Sequence, residues 1–441
     1  MAPPQRYVKS VTSSETQVRT LERTIRLPSA VALYCGAVLG SGILVLPAVA
    51  AETAGPASVV AWAALCLLSF PLALTFAALA RRQAVAGGFS AYIARGLGRR
   101  WGAIAGWIFL AQVPTGTVIA GLIAGSYIGA PLGLGRTGVF LIAASIIVLA
   151  YGLNLLGLRF AGAVQSAATA GVLLLVGIIV IAAARDVHAV AFHPFAPAGW
   201  PAVGVAATQL FWAFVGWEAI TPLAEEFAHP ERDLARASII SVVVVAIVYL
   251  VLAVVTVGTH AYGAAAGALP SFAAMAAHVL GGRAVVAVGV VGGVLAFTPL
   301  NAYVAGTSRL AYALACSGDL PSWAARLHPT TRVPHRVLAV LGGACLAALV
   351  VAYAADLGIA RLLPISTSSF LATYVLSMAA AVRLLDGRAA WLAAISLVAC
   401  VTVLAFVGAL VVWLLAVSAA ALVYSSWRAR ADIATAGSKA R

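Results

Sequence analysis

Residues 34–47 read Tyr34-Cys35-Gly36-Ala37-Val38-Leu39-Gly40-Ser41-Gly42-Ile43-Leu44-Val45-Leu46-Pro47. They sit inside an apolar run at about 29–51, long enough to cross a bilayer core, which takes ~20 apolar residues. Each mid-span glycine costs ~1 kcal/mol of helix propensity. One reading is an unwound segment at Gly40-Ser41-Gly42. Its freed N–H and C=O groups must then face a cavity, a ligand or other protein. The other is close helix packing through Gly36-x-x-x-Gly40, a small-x-x-x-small pattern. The stretch alone does not choose between them.

The rest of the chain is of the same kind. Hydrophobic residues make up 63% of the 441 residues and charged ones 9%, against ~25% charged in a soluble domain. Only a bilayer tolerates a surface that poor in charge. Apolar runs give about twelve spans, near 29–51, 56–80, 101–127, 137–156, 161–184, 204–224, 238–258, 280–312, 335–355, 361–382, 389–406 and 408–426. The last division rests on Gly408. The expected fold is an all-α polytopic membrane protein. A polar tail at 1–28 precedes a membrane domain at 29–427, and a tail at 428–441 follows. The first tail carries no short apolar core with a cleavage site, so no signal peptide is expected.

The sixth span settles the reading of the first. It contains Gln209-Leu210-Phe211-Trp212-Ala213-Phe214-Val215-Gly216-Trp217-Glu218-Ala219. A charged carboxylate at the bilayer centre costs ~2.5–3.5 kcal/mol or more, so Glu218 is a functional candidate by default. The bland alternative puts it at a helix end, in water beside Glu225 and Glu226. The seven residues between argue for roughly 10 Å of depth. Interruptions at matching places in two halves point to a secondary-transporter binding site. There, freed N–H groups from Ser41 to Leu44 are placed to take a carboxylate, and freed carbonyls from Ala213 to Gly216 an ammonium.

The net charge of +14 is not a nucleic-acid signal. With an intracellular N-terminus, all Lys and Arg except Arg136, Arg185, Arg283 and Arg361 fall on the cytoplasmic side, as the positive-inside rule requires. They meet anionic lipid there. Both termini are then cytoplasmic. Cys35, Cys66, Cys316, Cys345 and Cys400 lie in or beside spans with no paired spacing, so neither a metal site nor a redox pair is indicated. His188, His193, His229, His260, His278, His328 and His335 fall in loops or helix ends. No Gly-rich phosphate loop of Walker type is present, and no cofactor is implied.

These stretches resemble the amino-acid/polyamine/organocation superfamily. Gly40-Ser41-Gly42 followed by Ile43-Leu44-Val45-Leu46-Pro47 is similar to its substrate-carboxylate loop. The segment from Phe211 to Arg236 is similar to its sixth helix and the cytoplasmic turn that follows. Val85 to Tyr92 is similar to its first cytoplasmic loop. Ser308-Arg309-Leu310-Ala311-Tyr312 with Ser317-Gly318-Asp319-Leu320-Pro321 is similar to the end of its eighth helix. The finer resemblance is to bacterial exporters of methionine and branched-chain amino acids.

The resemblance implies two inverted five-helix repeats, at about 29–184 and 204–382, plus two extra helices at about 389–426, with helices one and six broken. It implies a bacterial inner membrane, an amino-acid substrate and no enzyme activity. Transport by proton antiport or exchange is expected, with an uptake permease and a transporter-like sensor or receptor as alternatives. Trp212 matches a substrate-stacking aromatic, and Glu218 a gating or proton-sensing acid. One departure is clear. Residues 161–184 carry no charge, whereas some proton-coupled relatives have a Lys in that helix.

The candidate site is Gly40, Ser41, Gly42, Ile43, Trp212, Phe214 and Gly216, with Glu218 for gating or proton coupling. Apolar residues near it (Ile43, Val113, Trp212, Phe214, Phe297 and Thr298) suit a neutral side chain, although plain packing explains each one as well. Pro114 and Pro299 are expected to bend the third and eighth spans. Ser366 to Ser369 form a polar strip in the tenth, facing a water path or a neighbouring helix.

Overall fold

A computed structural model describes residues 25–82, 88–157, 162–218, 227–263 and 270–439. Expectations for residues 1–24, for Val85 to Gly87 of the first cytoplasmic loop and for Glu225-Glu226 fall outside these residues. The described chain is helical, with one isolated bridge between Ile25 and Phe227.

The first span is cut in two. Helix α1 covers Leu27–Val38 and α2 covers Leu46–Ala54, with a 3-10 turn at Ser41–Leu44 between them. Helix α3 is Ser58–Arg82 and α4 is the short Gly88–Leu97. The third span divides at Gln112 into α5, Arg99–Ala111, and α6, Val113–Gly129. Pro114 stands in the first turn of α6, where its missing N–H costs nothing. Then come α7, Arg136–Leu155, and α8, Gly162–Ala183. The sixth span begins as α9, Pro201–Leu210, and tightens into a 3-10 turn at Phe211–Phe214. Beyond it lie α10, Pro230–Gly258, the short α11, Ser271–Leu280, and α12, Gly282–Cys316, with Pro299 inside. Helices α13, His335–Ala354, α14, Ile359–Leu384, α15, Gly387–Leu404, and α16, Val411–Lys439, complete the bundle.

Eight helical stretches among the described residues are long and apolar enough to cross a membrane. The first half of the first span and the sixth span appear instead as the shorter apolar helices Leu27–Val38 and Pro201–Phe214. The last two expected spans run as one stretch, Gly387–Arg428, kinked where Gly408 takes φ 64°. The number of crossings therefore depends on how broken and kinked stretches are divided.

The broken helices lie inside the bundle. Helix α1 packs on α10, α2 on α9, and α9 on α3 and α14, while α6 is held by α7, α12, α13 and α14. Helices α15 and α16 stand at the edge, where Trp391, Val398, Val412 and Trp427 are exposed, as lipid contact requires.

Arginines gather at one end of the bundle and tie its loops. Arg82 reaches Asp386 and the Leu384 carbonyl. Arg99 pairs with Asp319 at 3.2 Å and also meets the Ser317 carbonyl. At the opposite end Arg136 pairs with Asp356 at 3.2 Å and lies over the Tyr353 ring. Of these, Arg82–Asp386 and Arg136–Asp356 are exposed on both sides, and pairs of that kind contribute ~0–1 kcal/mol each. The fold rests on helix packing.

Candidate functional site

The two breaks face each other. After Val38 the chain leaves the helix at Leu39 and Gly40, then makes the 3-10 turn Ser41–Leu44. The N–H groups of Ser41 and Gly42 open that turn, where helix geometry offers no intrahelical acceptor. Gly42 is pressed against the other break. A Cβ there would stand 2.9 Å from Leu46, 3.1 Å from Cδ1 of Trp212 and 3.6 Å from Cα of Ala213. The glycine is what lets the two backbones approach.

On the other side, Val215 is extended and Gly216 takes φ 131°, a region L side chains rarely adopt. A Cβ on Gly216 would also lie 2.8 Å from the Ala37 carbonyl oxygen. So the sixth span needs a glycine here both for its turn and for contact with α1. The Gly216 N–H donates to Oε2 of Glu218 at 3.0 Å and to the Tyr374 hydroxyl at 3.2 Å. Tyr374, on α14, donates its own proton to Oε2 of Glu218. The half-buried carboxyl thus caps the break from below.

Carbonyls released by the breaks are met by phenols from other helices. Tyr127, on α6, donates to the Leu44 carbonyl at 2.7 Å. Tyr249, on α10, lies 2.9 Å from both the Val38 and the Ala213 carbonyl oxygens. A phenol has one proton, so Tyr249 serves one of these carbonyls at a time. Val38 has a second donor, the Gly40 N–H at 2.8 Å. At membrane depth an unmet carbonyl is costly, which accounts for these buried hydroxyls.

Trp212 is the half-buried aromatic between the breaks. Its ring meets Phe370 edge-on at 5.7 Å. Phe370 in turn meets Phe109 at 5.6 Å and Tyr303 at 6.5 Å, which makes an aromatic layer across α5, α12 and α14. One turn further along α5 and α14 lies a polar pair. The Ser366 hydroxyl donates to Oε1 of Gln112 at 2.7 Å. Both side chains are fully buried, and Nε2 of Gln112 has no partner among the described residues. Gln112, Ser366 and Trp212 converge on one point: a Cβ on Gly116 would be 2.7, 3.3 and 3.3 Å from them. Oε1 of Gln112, held by Ser366, therefore sits close to the far edge of the indole.

Among the residues picked from sequence, Gly40, Ser41, Gly42, Ile43, Trp212 and Gly216 come together at the breaks, with Glu218 capping one side. Phe214 goes elsewhere. Its ring lies against Trp62 at 5.8 Å and Tyr249 at 5.2 Å, behind the break. Ile43 and Val113 are fully buried, while Phe297 is half-buried. Thr298, Thr307 and Ser308 each bond to their own helix backbone. The structure adds Gln112, Tyr127, Tyr249 and Tyr374. For Gln112 the available signal is a lone amide in an apolar span two residues before a proline.

Carboxylates elsewhere among the described residues lie at the ends. Glu52 accepts from the Gly263 N–H at 3.0 Å, and Asp319, Asp356 and Asp386 pair with arginines. Arg232 and Asp233, in the turn after the sixth span, stand 3.9 Å apart.

Comparison with known proteins identifies the family. Residues 25–432 match the sequence family described as amino acid permease. The chain is 35% identical over 390 residues to the uncharacterized amino acid permease YecA of Bacillus subtilis, covering 88% of this chain and 92% of that one. It is 31% identical over 392 residues to the L-methionine/branched-chain amino acid exporter YjeH of Escherichia coli, with the same coverage of 88% and 92%. It is 25% identical over 350 residues to the branched-chain amino acid permease BcaP of Bacillus subtilis, covering 75% of each. A helical bundle with two facing backbone breaks, matched over nearly its whole length, belongs to the amino acid permease family of the amino-acid/polyamine/organocation superfamily, and the chain is a multi-pass membrane transporter of that family.

Proposed function

We propose that the chain is a secondary active transporter of neutral amino acids of the methionine and branched-chain type, exporting them by proton antiport or exchange. The observation that carries the substrate class is the chemistry of the break region. Glu218 is the one carboxyl there among the described residues, and it already holds the Gly216 N–H and the Tyr374 hydroxyl. A cationic side chain would find no free acid beside Trp212. An aliphatic or thioether chain finds Trp212, Phe370 and the buried amide of Gln112. The substrate carboxylate is assigned to the N–H groups of Ser41 and Gly42, and its ammonium to carbonyls of the two breaks. Glu218 is assigned to proton coupling or gating. The halves at 29–184 and 204–382 are read as inverted repeats, since each opens on a broken helix and has a proline in its third (Pro114, Pro299). Export is the reading that the likeness to YjeH favours. An inner-membrane location with both termini cytoplasmic belongs to the same proposal.

Counterflow in proteoliposomes tests it. Vesicles loaded with unlabelled methionine, leucine, arginine or glutamate are given the labelled amino acid. Uptake with methionine and leucine but not arginine or glutamate is expected. Uptake with arginine alone would overturn the neutral class. Direction is read separately, from extrusion against an imposed pH gradient in vesicles of known orientation; extrusion that ignores the gradient removes proton antiport.

A further inference from the structure

A groove of about 470 Å³ opens between α3, α10 and α15 at the arginine-rich end of the bundle, away from the breaks. Its floor on α3 is formed by Leu74, Ala77, Ala78 and Arg81. These fall at i, i+3, i+4 and i+7, one face of the helix. The two alanines leave the depression, and the arginine ends it. Leu234 and Ala235 of α10 form one wall, and Ala389 and Leu392 of α15 the other. Arg388 stands at the same mouth as Arg81.

The charges at this mouth are unequal. Asp386 also lines it, but Arg82 already holds that carboxylate. Nearby Asp233 of α10 is buried beside Arg232. Arg81 and Arg388 are exposed, and neither has an acidic partner among the described ion pairs. Two guanidiniums without an acidic partner among the described residues therefore sit where an apolar span ends, above a channel of methyl groups. From Leu74 to Arg81 the groove runs ~10 Å along the helix, from hydrocarbon depth to the bilayer surface. Guanidinium binds phosphate oxygens in a planar, bidentate way that a bare ammonium does not.

We propose that this groove is a binding site for an anionic phospholipid, with its phosphate on Arg81 and Arg388 and an acyl chain along Leu74, Ala77 and Ala78. Basic pockets between spans bind anionic headgroups in this manner. The site stands whatever amino acid is carried.

The experiment is native mass spectrometry of the full chain in detergent, titrated with phosphatidylglycerol or phosphatidylethanolamine. Each basic group near an anionic headgroup adds about fivefold, so the Arg81→Gln/Arg388→Gln protein should bind phosphatidylglycerol about thirtyfold more weakly. Its weaker binding of phosphatidylethanolamine, whose phosphate meets the same arginines but whose ammonium offsets the charge, should fall by less, and an unchanged unfolding temperature shows that it remains folded. Ala78→Trp, which fills the groove and leaves both arginines, should lose phosphatidylglycerol too. Equal phosphatidylglycerol affinity in the wild type and the double variant would overturn the proposal. So would a wild type with no preference between the two lipids. Glycerophosphoglycerol, the same headgroup without chains, should compete only weakly. Competition equal to that of the intact lipid would make this a phosphate site and refute the lipid reading.

Discussion

Replacing Tyr249 by phenylalanine removes one hydroxyl from the place where the two breaks meet. The ring keeps its contacts with Trp62 at 4.8 Å and Phe214 at 5.2 Å, so no cavity forms. What changes is the donor 2.9 Å from both the Val38 and Ala213 carbonyls. Val38 keeps the Gly40 N–H at 2.8 Å. Ala213, in a fully buried setting, loses its hydroxyl donor. A buried acceptor left unmet costs ~1–3 kcal/mol, and that is the expected loss of stability. Thermal unfolding in detergent, followed by size exclusion, measures it. Tyr353→Phe is the control, because its exposed hydroxyl meets Thr137 at 2.9 Å and, among the described residues, no backbone carbonyl. A substrate ammonium carries several donors and can restore what the variant lacks. Leucine should therefore stabilise Tyr249→Phe more than wild type, with affinity raised by roughly five- to a hundredfold. The amine-free analogue, 2-hydroxy-4-methylpentanoate, should give no such excess. Wild-type stability in the variant would refute the reasoning. So would equal weakening of leucine and its amine-free analogue, which would leave the hydroxyl a packing role only.

Gly42→Val should abolish binding, since even a Cβ there meets Leu46 at 2.9 Å and Trp212 at 3.1 Å; near-normal affinity by scintillation proximity would count against the site. Gly216→Ala should lose ~2–6 kcal/mol, from backbone strain at φ 131° and from crowding against the Ala37 carbonyl, read as a lowered unfolding temperature. Glu218→Gln keeps an amide oxygen for the Gly216 N–H and the Tyr374 hydroxyl but cannot titrate. Its transport should become flat with pH while the protein stays folded, and an unchanged pH profile in proteoliposomes would remove Glu218 from proton coupling. Gln112→Leu removes the amide beside Trp212, whose Nε2 has no partner among the described residues. It should lower preference for methionine over leucine by a few-fold, since a thioether sulfur is a weak acceptor; equal losses for both substrates in competition assays would assign the amide to the shared carboxylate end.

The breaks were legible because their cause is local. Gly40, Gly42 and Gly216 lower helix propensity where they stand, and Glu218 marks its own span as unusual. What satisfies the freed backbone was not legible, because the partners are far away in the chain. Tyr127 is 83 residues from Leu44, Tyr374 is 156 from Glu218, and Ser366 is 254 from Gln112. Periodicity within a span cannot report which phenol crosses to which carbonyl.

Trp212 and Phe214 show a subtler limit. Both are large aromatics in the same break, and their directions depend on the local pitch. An α-helix would turn them ~200° apart, whereas the 3-10 turn that forms, with ~3.0 residues per turn, sets them ~240° apart. Trp212 then meets Phe370 and Gly116, while Phe214 meets Trp62 and Tyr249. Propensity gives no choice between the two pitches over four residues; packing against Gly42 and the Tyr249 hydroxyl does. The feature that fixes which aromatic lies between the breaks is thus the contact of the two breaks with each other. A single span read alone contains half of that contact, which is why the first span left two readings open until the sixth was set beside it.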